Sequence, residues 1–226
     1  MARPNHRRWG LWGMFLRFLA IILVTFIIHM FYMGFPIDGK NSLGPEALHR
    51  TLEQEWETVG ALVQDDRTSR LIQDSVTWSY RLLYRLPGLE ALVQMGSTPK
   101  DGTANDSVRS AVGSLWFFFE GFYWSVHLLG LRLGVLLVSA PLFIATGLVA
   151  LLDGLISRHL RSIAGGRESG FIYHRAKLMI WGSILGLWLI YLVPPLPLNP
   201  VYILPPFLLL FAVAVRISAA WFKKHL

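Results

Sequence analysis

The chain has 226 residues and 25.6 kDa; 54% of its residues are hydrophobic and 15% charged, with mean hydropathy +0.47 and formal net charge +7. Soluble proteins carry about 25% charged residues, so this balance excludes a disordered chain, a coiled coil and an ordinary soluble enzyme. With no cysteine, disulfide staples, thiolate metal sites and cysteine nucleophiles are excluded as well.

Residues 1–33 read as a tip followed by an anchor helix. The tip carries Arg3, Arg7 and Arg8 and no acid. The apolar run 13–33 is long enough to cross a bilayer, which takes about 20 apolar residues. No small-x-small cleavage site follows, since residues 30–36 read MFYMGFP. An uncleaved signal anchor is therefore expected.

Residues 34–110 form a domain-sized insertion with eight basic and eleven acidic residues. Leu48, Leu52, Trp56, Val59 and Val63 recur at helical spacing, with Glu53, Glu55 and Glu57 largely on other faces. Ile72, Val76, Leu83 and Leu86 outline a second amphipathic helix, which Pro87 and Gly88 interrupt. Residues 96–107 read as a polar linker. Two short helices cannot build a large core alone, so they are expected to pack on each other, on the membrane or on a partner.

Residues 111–226 hold an aromatic interfacial helix and three further spans, near 133–152, 178–193 and 202–222. Trp116, Phe117, Phe118, Phe119, Phe122, Tyr123 and Trp124 crowd nine positions, as aromatic side chains do at a membrane–water boundary. One helix from about residue 107 to 157, kinked at Pro141, is expected. Glu120 and His127 are seven apart, hence on one helical face, and form a candidate interfacial polar pair. The prolines from Pro194 to Pro206 read as a stiff hairpin between the last two spans. His29 and Arg216 sit toward span ends and are expected to snorkel.

The loop 153–177 carries Arg158, Arg161, Arg167, Arg175 and Lys177 against Asp153 and Glu168. Basic residues collect on the cytoplasmic side of bilayers. With four spans, both termini and this loop fall there, and 34–110 and the proline turn face the periplasm. The net positive charge is thereby accounted for, and direct nucleic-acid contact is not expected. The candidate contact residues for a protein partner or lipid are Arg158, Arg161, Arg167, Glu168, Tyr173, His174, Arg175 and Lys177.

The string GGRESGFIYHRAK at 165–177, after a basic helix end and before a span, resembles the signature of the integrating conjugative element membrane protein family. The basic-start anchor, long outward segment and four-span layout are similar too. The resemblance implies a bacterial inner-membrane component of conjugative DNA transfer, near coupling-protein and type IV secretion genes. It implies other membrane proteins of the apparatus, including the coupling ATPase, as partners, and it implies no active site. The expectations are thus an all-α, polytopic helical membrane protein with no catalytic residue, no cofactor and no metal, its oligomeric state open. A small transporter or channel is the alternative, and it lacks support from an internal repeat or a mid-membrane acid.

Overall fold

A computed structural model describes residues 9–34, 36–37, 41–91, 106–163 and 170–222. The chain is helical almost throughout: α1 (Trp9–Gly34), α2 (Pro45–Leu62), α3 (Asp66–Tyr80), α4 (Asp106–Ile163), α5 (Gly170–Leu192) and α6 (Pro200–Ala220). A two-residue ladder, β1 (Pro36–Ile37) with β2 (Asn41–Ser42), is the antiparallel exception among the described residues. Four helical segments are long and apolar enough to cross a membrane: Phe15–Gly34, Leu115–Ile163, Ile172–Leu192 and Pro200–Ala220. The polytopic all-α architecture expected from the apolar runs is the one observed.

Local sequence sets the helix ends. Gly44 takes a positive φ of 71°, and Pro45 opens α2 at a position whose N–H would have no helical partner anyway. Asp65 caps α3: its carboxylate accepts from the Thr68 N–H at 3.1 Å and the Thr68 hydroxyl at 3.0 Å. Those donors hold the Asp65 carboxyl below its ordinary value. The end of α3 widens into a π-turn, Arg81–Arg85, closed by the Leu86 N–H on the Arg81 carbonyl at 2.9 Å. Pro87 has no N–H to continue the ladder. Gly88 then turns the chain with φ 81°. Asn199 caps α6 through the Val201 N–H at 3.0 Å.

Two compact units divide the chain. The first comprises residues 1–134 and 192–197, the second 135–191 and 198–226. In the first, α2 and α3 face each other across a small cavity lined by Trp56, Val59 and Ile72. Both helices of the predicted insertion border this cavity. The unit's apolar centre is Met33, Leu48 and Leu128, with Met30, Leu52, Phe117 and Trp124 around them. Gly130 and Gly134 let α4 approach α3 closely. A Cβ on Gly130 would stand 2.7 Å from the Val76 Cα, and one on Gly134 would stand 3.0 Å from the Ile72 Cα.

In the second unit α4, α5 and α6 meet through small residues. Gly154 lies where a Cβ would come within 2.5 Å of the Arg216 carbonyl oxygen and 2.6 Å of the Ala219 Cβ. Gly186 and Gly147 receive the rings of Phe207 and Phe211. Large apolar side chains point outward, as Val149 and Leu209 do at 68% exposure each. This is how helices pack where the solvent is hydrocarbon: small residues at the contacts, greasy ones outside. Pro205 and Pro206 belong inside α6 rather than in the turn. They deprive the Val201 and Tyr202 carbonyls of helical donors. Both residues are exposed near the helix start, so those carbonyls lie near the end of the span rather than in its middle.

Candidate functional site

The most buried charge lies in the first unit. α4 delivers Arg132, fully buried, immediately before the uncharged run 133–152. A guanidinium out of water is tolerated only with partners for its donors. Glu55 of α2, 1% exposed, supplies both carboxylate oxygens to the Arg132 Nε at 3.1 and 3.2 Å, and Oε1 to Nη2 at 2.5 Å. The remaining donors go to backbone. Nη1 reaches the Leu192 and Pro194 carbonyls at 3.1 and 2.6 Å, and Nη2 the Leu196 carbonyl at 2.8 Å. The Thr51 hydroxyl lies 3.3 Å from the Pro195 carbonyl. The turn after α5 holds Pro194, Pro195 and Pro197, which have no N–H to offer neighbouring carbonyls. A planar, forked cation suits that row of acceptors better than a lysine would.

Two expectations are corrected here. Glu55 is not on another face of α2: seven residues after Leu48 and four before Val59, it shares their buried face, where Arg132 claims it. His29 does not snorkel. It is fully buried in α1, with Nδ1 2.9 Å from the Ser125 hydroxyl of α4. The Val193 backbone lies beside its ring, and Nε2 has no partner in hydrogen-bond geometry among the described residues.

Glu120 and His127 share a face of α4 but are not bonded to each other. The His127 Nδ1 meets the Tyr123 carbonyl at 2.9 Å, and its ring packs 4.2 Å from that of Tyr123. Glu120 instead borders an open cleft of about 340 Å³. Tyr80 and Tyr84 form one wall, and Trp116, Phe119, Tyr123 and Trp124 the other. Tyr80 and Tyr84 stack at 5.4 Å, and Tyr123 stands edge-on to them at 6.0 and 5.5 Å. Glu90 completes the lining with Glu120. The Tyr80 hydroxyl titrates above its usual range, first through burial and then through the Glu90 charge; burial does the same to Tyr84.

The predicted basic contact residues fall in the second unit, apart from Arg167 and Glu168, which lie outside the described residues. Arg161 sits 3.9 Å over the Trp221 ring, and its Nη1 lies 3.3 Å from the Ala220 carbonyl. Arg158 lies 5.6 Å over Phe222, and Tyr173 packs on that ring edge-on at 5.6 Å. The end of α4, the start of α5 and the end of α6 thus meet through cations on aromatic faces. His174, Arg175 and Lys177 stay exposed on α5. Arg216 does not snorkel alone: it pairs with Asp153, about half of each side chain being exposed.

A family model described as "IncC plasmid conjugative DNA transfer protein DtrJ-like" matches residues 41–223. The chain belongs to the DtrJ-like family. That description implies a role in conjugative DNA transfer, in line with the conjugation side of the resemblance read from the loop. The match takes in the Arg132 network from Glu55 to Leu196, the aromatic cleft and the basic cluster, and begins after α1. No curated protein and no solved structure matches the chain.

Sequence reasoning passed over Arg132 as the end of an aromatic segment. The available signal was an arginine abutting twenty uncharged residues, with no acid within a helical turn. Such a residue needs a carboxylate from elsewhere.

Proposed function

We propose that this member of the DtrJ-like family is a bacterial inner-membrane component of the conjugation machinery that acts by holding other proteins, without a reaction of its own. The observation that carries this reading is the conjugative-transfer family match over most of the chain, together with four bilayer-length apolar helices. Membership of the integrating conjugative element membrane group is the finer form of the same reading, supported by the 165–177 string.

Both termini and the loop 153–177 are placed in the cytoplasm by their arginines and lysines. Residues 34–110 then stand in the periplasm, with the membrane edge near the aromatic run 116–124. The cytoplasmic cluster of Arg158, Arg161, Tyr173, His174, Arg175 and Lys177, together with Arg167 and Glu168 of the same loop sequence, is the docking surface for the secretion channel or coupling ATPase. The transfer intermediate is DNA, yet the protein contacts its partners rather than the nucleic acid.

Reporter fusions test the topology: one near residue 100 is exported and one near 165 is cytoplasmic, and the reverse pattern overturns it. Mating tests the role. A donor carrying Arg167→Ala with Arg175→Ala inserts the protein normally and transfers DNA less often; unchanged transfer defeats the docking surface. Crosslinking in donor membranes recovers a secretion or coupling subunit with the parent chain and less of it with the double variant.

A further inference from the structure

We propose that the cleft formed by α3 and the start of α4 binds the ammonium headgroup of a phosphatidylethanolamine lipid. Among the described residues six aromatic rings and two carboxylates line it, and no basic side chain does. Aromatic faces are electron-rich and attract ammonium ions. Glu90 and Glu120 add formal negative charge at the same place. Among the described residues Glu120 has no ion-pair partner, and the nearest contact of Glu90 with a cation is to the largely exposed Arg85 at 3.5 Å. The cleft is therefore built for a cation and is closed to anionic headgroups by charge.

Position selects the source of that cation. Trp116, Phe119, Tyr123 and Trp124 stand at the start of the apolar stretch Leu115–Ile163, and amphipathic rings of this kind settle at headgroup depth. Leu82 and Leu86 beside the cleft residues, and Leu115 and Phe118 among them, are exposed, so acyl chains meet apolar surface rather than water. A dissolved amine must give up its translational freedom to bind, and contacts with aromatic faces are individually weak. A headgroup already confined to the bilayer surface gives up much less. The inference rests on these helices being membrane spans; it does not rest on a role in DNA transfer, and its test measures no transfer.

The test uses the full chain in nanodiscs of phosphatidylglycerol into which phosphatidylethanolamine is titrated, with retained lipid read by native mass spectrometry. The parent chain keeps phosphatidylethanolamine in preference to phosphatidylglycerol, and Glu90→Gln with Glu120→Gln lowers that preference roughly tenfold. Trp116→Leu lowers it in the same direction. Equal retention of the two lipids by the parent chain overturns the proposal whatever the variants do. Preference unchanged in a folded Gln variant overturns it too. Displacement by soluble glycerophosphoethanolamine at matched concentration overturns the lipid as the source, as does a lysine- or arginine-bearing peptide that outcompetes the lipid for the same cleft.

Discussion

The two units solve the same problem in opposite ways. The first buries charge and polar groups: Arg132 and Glu55, and beside them His29 and Ser125, are all hidden from solvent, and the guanidinium joins two helices to a proline turn. The second buries almost none. Its helices meet through glycine and alanine, while its cations lie across aromatic rings or in half-exposed pairs. The first unit joins the apolar span Phe15–Gly34 to the polar-faced helices α2 and α3, whereas the second consists almost wholly of apolar helices, so the two draw differently on two solvents. In contact with water, hydrophobic burial sets the core and a charge inside it must be fully partnered. In hydrocarbon that driving force between helices is absent, and close backbone approach takes its place.

Breaking the buried lock tests this contrast most severely. Glu55→Met or Arg132→Met alone removes one partner of a buried pair and costs about 3–5 kcal/mol, read as unfolding in mild detergent. The double variant costs less than the sum of the two, because neither charge is left alone. A single variant as stable as the parent would place the pair outside the folded core.

Overpacking comes next. Gly130→Leu in the first unit and Gly154→Leu in the second each meet backbone within 3 Å and cost about 1–3 kcal/mol. Gly182→Ala has open space within 4 Å and gains up to about 1 kcal/mol from helix propensity. Equal effects at Gly154 and Gly182, measured by the same unfolding assay, would remove the small-residue contact from the second unit.

Asp153→Asn sharpens the comparison between ion pairs. Asp153 and Arg216 are 51% and 56% exposed, so solvent screens them and the loss is at most about 1 kcal/mol. A cost matching that of Glu55→Met would erase the distinction between the units.

The smallest effect is at Asp65. Its carboxyl is depressed by the Thr68 donors, so its cap contributes fully above the unfolded value of 3.8 and is lost as pH falls through the folded one. Helix content followed by circular dichroism declines slightly in that acid window for the parent chain. Asp65→Asn lacks this component.

What could be read from sequence was what depends on near neighbours. Runs of twenty apolar residues announce spans, and the apolar and aromatic run on both sides of Pro141 announces one helix. Amphipathic spacing placed Leu48, Val59 and Ile72 inward. The lock was hidden because Glu55 and Arg132 are 77 residues apart; spacing puts Glu55 on the face of Leu48 and Val59, but a carboxylate is read as solvent-facing unless a distant cation is known. Pro205 and Pro206 misled for a related reason: proline excludes a helical bond without excluding the helix, provided the orphaned carbonyls lie near its end. Glu120 and His127 share a face as their spacing requires, but the Tyr123 carbonyl and the cleft draw them to different neighbours.

The reach of Arg132 to Leu192, 60 residues later, sets an order in time. During synthesis Arg132 leaves the ribosome well before the Leu192, Pro194 and Leu196 carbonyls exist, whereas the Glu55 carboxylate has already been made. Until the proline turn arrives, other groups or water must receive the hydrogens that those carbonyls take in the finished fold. A chain that stalls or is clipped before that turn keeps the ion pair but lacks the three carbonyls that complete its solvation, so the interior of the first unit closes only when the polypeptide is nearly finished.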